Sequence, residues 1–159
     1  MINKLLNIEE ANYSSNLNEE DLKKKMKELF KEGASSMTGK ITNENEFTAH
    51  DKQIVIGWSM PNLKRRAAYL KGKITPAENG ILINLIVKPN SFLPLLAILF
   101  TLMGAIITSK ALFNTVNDSF FLIFGIVFMT LGFIYYPLST FLKNRLRNKI
   151  VNYLDLNRV

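Results

Sequence analysis

Two places in the chain hold side chains of the kinds that do chemistry. At residues 143–149, Lys143, Arg145, Arg147 and Lys149 put four cations into seven positions. Such a cluster meets phosphate oxygens, on nucleic acid or on lipid headgroups. At residues 50–51 the chain's one histidine, His50, stands beside Asp51, a pairing that can move protons in general acid–base catalysis. No Ser, Cys or cluster of metal ligands stands in recognisable relation to it, and in the turn-like stretch FTAHDK it reads as a solvated pair. Cysteine is absent, which excludes disulfides, thiolate nucleophiles and Cys-based metal sites. A Gly-rich phosphate loop, a Walker sequence and HExxH are absent as well. The expectation is a non-enzymatic protein with no catalytic residue, no metal and no cofactor.

The setting of the cations decides what they meet. Residues 89–109 and 119–142 form runs of 21 and 24 residues without a charge, and about 20 apolar residues cross the hydrocarbon core of a bilayer. The net charge of +7 is unevenly placed: +3 over residues 1–91, zero over 92–142 and +4 over 143–159. The basic character therefore sits largely in a short tail after an apolar run, with no aromatic stacking residues around it, so nucleic acid is not an expected partner. Lys and Arg flanking a span stay on the cytoplasmic side. Lys64, Arg65, Arg66, Lys71, Lys73 and Lys88 precede the first run, the four tail cations follow the second, and the connecting stretch holds one Lys and one Asp. This bias predicts a two-span hairpin with both termini cytoplasmic and its tip outside.

The fold class expected is an α+β membrane protein: an N-terminal helix with a small antiparallel sheet or partial barrel, a transmembrane hairpin, and a basic amphipathic C-terminal helix. Residues 1–18, polar and Asn-rich, are expected to be a flexible arm. Over residues 19–32, Asn18 can cap a helix, acids crowd the first turn, Leu22, Met26, Leu29 and Phe30 recur at helical spacing, and Gly33 can close it. Five β-prone runs follow, MTGKIT, FTAH, QIVIGWS, RRAAYLKGKIT and ILINLIVK. With the helix they make a cytoplasmic domain over 19–88. In the fourth run Ala68, Leu70 and Ile74 oppose Tyr69, Lys71 and Lys73, as in a half-exposed strand. Gly57 and Gly72 suggest bends or bulges. Three residues, Pro89, Asn90 and Ser91, join the last run to the first span, which predicts a domain held at the membrane surface.

The spans, 92–113 and 119–142, contain no acid, base or histidine apart from Lys110 near the tip, which argues against a transporter or pump. Ala97, Thr101, Ala105 and Ser109 recur every four residues, and Gly125 and Gly132 lie seven apart. Small side chains let helices approach closely, so these positions are candidates for packing within the hairpin or for self-association. In the tail over 143–159, Leu142, Leu146, Ile150 and Tyr153 recur at helical spacing. This predicts a basic amphipathic extension along the inner leaflet, with Lys143, Arg145, Arg147 and Lys149, together with Arg65 and Arg66, meeting anionic headgroups. The stretch GWSMPNLKRRAAYLKGK mixes the single Trp, a Pro turn and five cations; Trp58 and Tyr69 are its candidates for a partner surface.

A Gly-x-Ile run followed by Phe, GKITNENEF, precedes LKGKI, NGILINLIVKPN and the apolar hairpin. Over about residues 37–142 this order resembles small, largely uncharacterised two-span bacterial membrane proteins with an N-terminal β-domain. The resemblance implies a bacterial inner-membrane protein and carries over no catalytic residue. The function expected is a membrane-anchored binding protein, a subunit or accessory of an inner-membrane complex. The alternatives are an immunity protein against a membrane-acting toxin and a small oligomeric channel. The expected partners are the membrane, anionic lipid, and a protein partner or further copies of the chain.

Overall fold

A computed structural model describes residues 2–31, 37–52, 54–56, 65–77, 80–113 and 119–159. Among them, four helices, α1 (Ile2–Leu5), α2 (Glu19–Phe30), α3 (Phe92–Phe113) and α4 (Ser119–Leu154), accompany eight strands. These are β1 (Glu9–Ser15), β2 (Met37–Asn43), β3 (Glu46–Asp51), β4 (Ile54–Ile56), β5 (Arg65–Arg66), β6 (Ala68–Ala77), β7 (Gly80–Pro89) and β8 (Asn157–Arg158). Two compact units result, one from residues 1–90 and 141–159, the other from residues 91–140.

The first unit is built on an antiparallel sheet of six strands in the order β2-β3-β6-β7-β1-β8, while β4 and β5 pair separately. Alternation sets one face of the sheet. In β6, Ala68, Leu70 and Ile74 are buried while Lys71 and Lys73 are exposed, as the sequence predicts. The cross-strand register lines up Ala11, Leu85, Gly72, Phe47 and Ile41 in one row, and Glu9, Val87, Leu70, Ala49 and Gly39 in the next. This face carries the core, which also takes Leu22, Met26 and Leu29 from α2 and Leu146, Ile150 and Leu154 from the end of α4.

Several expectations are corrected. Residues 2–18 are not a loose arm: α1 is followed by a turn at Asn7, whose φ of 56° is the left-handed conformation Asn tolerates, and β1 pairs with β7 over seven residue pairs. The domain has more strands than five, because the run beginning at Arg65 divides at Ala67 and both ends of the chain add strands. The sheet is open rather than a partial barrel. Its edges are β2 and β8, and helices cover its apolar face, so burial does not require closure. The second apolar run and the basic tail are one helix, α4. The apolar stripe of its last turns belongs to the core of the sheet: Leu146, Ile150 and Leu154 are fully buried there, and Leu154 replaces the exposed Tyr153 in the stripe.

Local chemistry fixes the element ends. The Asn18 side chain accepts from the Asp21 backbone N–H at 2.8 Å, starting α2 as expected. Helix α2 stops at Phe30; Gly33, like Gly57 and Trp58, lies outside the described residues. Helix α4 closes with the Leu156 N–H donating to the Val151 carbonyl at 2.9 Å, with Asp155 at a φ of 52° between them. This Schellman turn sends the chain into β8, beside β1.

Gly72 is not a bulge. It keeps regular register with both neighbours, and a Cβ there would collide with the Phe47 ring, which is fully buried. The register shift lies instead between Ile41 and Asn43. Gly72→Ala is expected to destabilise the first unit by roughly 1–3 kcal/mol, the usual cost of overpacking a core. In a Phe47→Leu background the added cost of Gly72→Ala should shrink, as measured by a double-mutant cycle of chemical unfolding.

In the second unit, α3 and the part of α4 up to Thr140 are long and apolar enough to cross a membrane. Large side chains along them are exposed, among them Leu102 at 58% and Phe133 at 67%. A helix buried in the core of a soluble domain would not leave such residues open.

Candidate functional site

The four cations of 143–149 are sorted by helix geometry. At about 100° per residue, Leu142, Leu146, Ile150 and Leu154 point to the sheet. Lys143 and Arg147 fall on one flank, and Arg145 and Lys149 on the other. The covered face of the sheet offers an acid to each flank. Glu9, on β1, receives Lys143 at 3.0 Å and the Arg147 Nη1 at 2.6 Å. Asp51, at the end of β3 and fully buried, has the Lys149 ammonium at 3.8 Å. The Lys143 Nζ also donates to the Asn7 side-chain oxygen at 2.9 Å, so the turn after α1 belongs to the same cluster.

Burial raises the Glu9 pKa. The hydrogen bonds from Lys143 and Arg147, and then their charges, outweigh it and hold the carboxyl below its ordinary range. Lys143 is thus a buried member of an ion-pair cluster, which the expectation of a headgroup contact did not foresee.

Among the described residues, the helix side chains of the core cluster pack with the first face; the other face carries different rows. There Thr38, His50, Tyr69 and Lys88 stand in one cross-strand row, and Lys40, Thr48, Lys71 and Ile86 in the next. An open groove of about 390 Å³ runs between β3, β6 and β7, with His50, Tyr69, Lys71, Ile86 and Lys88 along it. The Lys88 ammonium lies 6.0 Å from the Tyr69 ring centroid, within cation–π range. The Tyr69 hydroxyl accepts from the Arg66 backbone N–H at 3.2 Å, and the Arg66 guanidinium donates to the Lys52 carbonyl at 3.0 Å. Arg66 is therefore tied into the sheet's end, next to Arg65, which pairs with Ile56. His50 is half-buried; burial, then the Arg66 charge, lower its pKa against the opposing pull of Asp51. Among the described residues no group of three metal-ligating side chains comes together.

In the second unit, Ala97 and Thr101 face Gly132, and Gly104 and Thr108 face Gly125 and Met129. The contacts advance along α3 as they retreat along α4, so the helices run antiparallel. Phe100 meets Phe128 edge to face at 5.4 Å on the same seam. Ala105 is half-buried and Ser109 exposed. The contact positions on α3 are 97, 101, 104 and 108, a heptad spacing that matches the seven residues between Gly125 and Gly132. Gly104 and Thr108 are missing from the four-residue repeat read in the sequence, though the glycine spacing carries the signal for them.

Glu9, Asn7, Lys71 and Lys88 were not singled out by sequence reasoning. Glu9 carries a faint signal, since Glu9, Ala11, Tyr13 and Ser15 alternate with polar residues as one face of a strand would. Because the Glu9 pKa is lowered on folding, its contribution to stability is present above the ordinary carboxylate range. That contribution is lost as pH falls through the lowered value. Glu9→Gln should cost roughly 1–3 kcal/mol at neutral pH. It should also flatten the loss of thermal stability from neutral pH down to about pH 3, read by circular dichroism melts. Compared with known proteins, the chain matches no family model, no curated protein and no solved structure.

Proposed function

We propose that the chain is a non-enzymatic, membrane-anchored binding protein of a bacterial inner membrane, a subunit or accessory of a larger membrane complex. Helices α3 and α4 form its transmembrane hairpin, and both termini are cytoplasmic.

The observation that carries the reading is the discontinuity of the sheet unit. Residues 1–90 and 141–159 share one core, in which Leu146, Ile150 and Leu154 lie with Phe47 and Leu85. A shared core cannot be divided by a bilayer, so residues 90 and 141 belong on the same side. The intervening apolar segment then crosses an even number of times, and the two helices long enough to span supply a hairpin. The excess of Lys and Arg beside both ends of that segment supports a cytoplasmic location for that side.

The binding role is supported by how the ionisable groups are used. Glu9, Asp51, Glu46 and Glu19 each stand in an ion pair that fastens one element to another or staples a helix turn. The second sheet face, by contrast, offers an aromatic and cationic groove around Tyr69, Lys71 and Lys88. That combination suits a protein partner with an acidic surface.

The absence of natural cysteine makes topology directly measurable. In intact cells an impermeant maleimide should label Thr115→Cys and leave Asn157→Cys unlabelled until the cells are opened. Labelling of Asn157→Cys alone would overturn the orientation. For the binding role, purification in mild detergent at native expression should retain a stoichiometric second membrane protein, identified by mass spectrometry. Tyr69→Ala with Lys88→Glu should release it while leaving the chain in the membrane. Recovery of the chain alone would overturn the subunit reading.

A further inference from the structure

We propose that the outward flank of α4, over residues 141–152, binds the phosphodiester headgroup of an anionic phospholipid; this rests on the membrane reading above. Phe141, Asn144, Arg145, Asn148, Lys149 and Asn152 line a groove of about 370 Å³ along that flank. These positions are one helical face at steps of three and four residues, turned away from Leu146 and Ile150.

The groove is rich in donors. The Arg147 guanidinium gives its Nη1 to Glu9 at 2.6 Å, and its Nε and Nη2 both donate to the Asn148 Oδ1 at 3.2 Å. A guanidinium has only donors, so the Asn148 oxygen is the atom it holds. The Asn148 N–H2 is thereby turned to an acceptor elsewhere. Arg145 and Lys149 lie three and one residues away on the same groove. Helix α4 contains no Asp or Glu in its 36 residues. The acids facing it come from the sheet side: Glu9 on the opposite flank, and Asp51 at 3.8 Å from Lys149. A guanidinium, an ammonium and an oriented amide N–H2 within one turn suit the oxygens of a phosphodiester.

The apolar end of the groove selects a lipid over a free phosphate. Phe141 is 62% exposed there, and the uncharged run of α4 ends at Leu142. A ligand with an acyl portion reaches Phe141 and the donors together, whereas a free anion meets only the donors.

The test is native mass spectrometry of the purified full chain in detergent, titrated with phosphatidylglycerol or phosphatidylcholine. Phosphatidylglycerol should be retained about 30-fold more tightly, the effect of two cations near an anionic headgroup. Arg145→Gln with Lys149→Gln should abolish that preference. Asn148→Asp keeps an acceptor for Arg147, so it should preserve the circular dichroism spectrum while losing the lipid. Lys24→Gln with Lys27→Gln, on the exposed part of α2, removes the same charge and should leave the preference intact. Equal retention of the two lipids, persistence of the preference in Arg145→Gln with Lys149→Gln, or its loss in the α2 control would overturn the site. Carbonate extraction of membranes separates the two readings: a chain released to the soluble fraction overturns the membrane anchor. A chain that stays in the membrane without lipid preference overturns the headgroup site alone.

Discussion

The sheet depends on being covered by the far end of its own chain. Its apolar face presents Leu85, Val87, Leu70 and Phe47, and α2 covers only part of it. Leu146, Ile150 and Leu154, each fully buried, supply the remaining contacts. Burying a side chain of this size is worth roughly 1.5–3 kcal/mol, a large share of the margin of a small domain. Charge follows the same logic. Glu9 and Asp51 sit on the covered face, where an unmatched carboxylate would be costly. The helix that brings the leucines also brings Lys143, Arg147 and Lys149 to them. Hydrophobic fit and ion pairing thus select one register of α4 on the sheet.

This division explains why seven positions with four cations do not act as a single patch. Two of the cations are drawn inward by Glu9, and their spacing of four residues puts them on one flank. The other two share a groove with three asparagines. A basic run beside an apolar helix is commonly read as an electrostatic flank and nothing more. Here Lys143 and Arg147 meet Glu9 on one flank of the helix, Lys149 meets Asp51 on the other, and Arg147 reaches across to Asn148.

Much of the local structure was legible. The Asn18 cap, the α2 stripe and the alternation of β6 follow from side-chain periodicity, and the two long apolar helices follow from uncharged length. The role of residues 1–18 was not legible, because Glu9, Glu10, Asn12 and the serines are poor strand formers. What holds β1 is its pairing with β7, some seventy residues later in the chain. The destination of the tail stripe was hidden for a related reason. An amphipathic basic helix has the same pattern whether its apolar face meets lipid or a sheet, and Glu9, an acid on the inward face of β1, is the residue that distinguishes them. In the helix pair the contacts follow a different spacing from the four-residue repeat read in the sequence. Gly104 and Thr108 belong to a heptad, and a strict repeat of four drifts off the contact within two turns.

The discontinuity of the sheet unit also sets an order of events. Synthesis makes β1 before the two apolar helices, and Lys143 and Arg147 after them. For a chain anchored as proposed, the sheet cannot close its core until the second helix has delivered residues 141–159 to the compartment where the first ninety wait. A chain with one helix misplaced would keep Glu9 without its cations and leave the row from Ala11 to Ile41 incompletely covered. Such a chain would present apolar β-surface to the proteases and chaperones that recognise it. In a chain so anchored, completion of the sheet is therefore a report that both helices have been inserted.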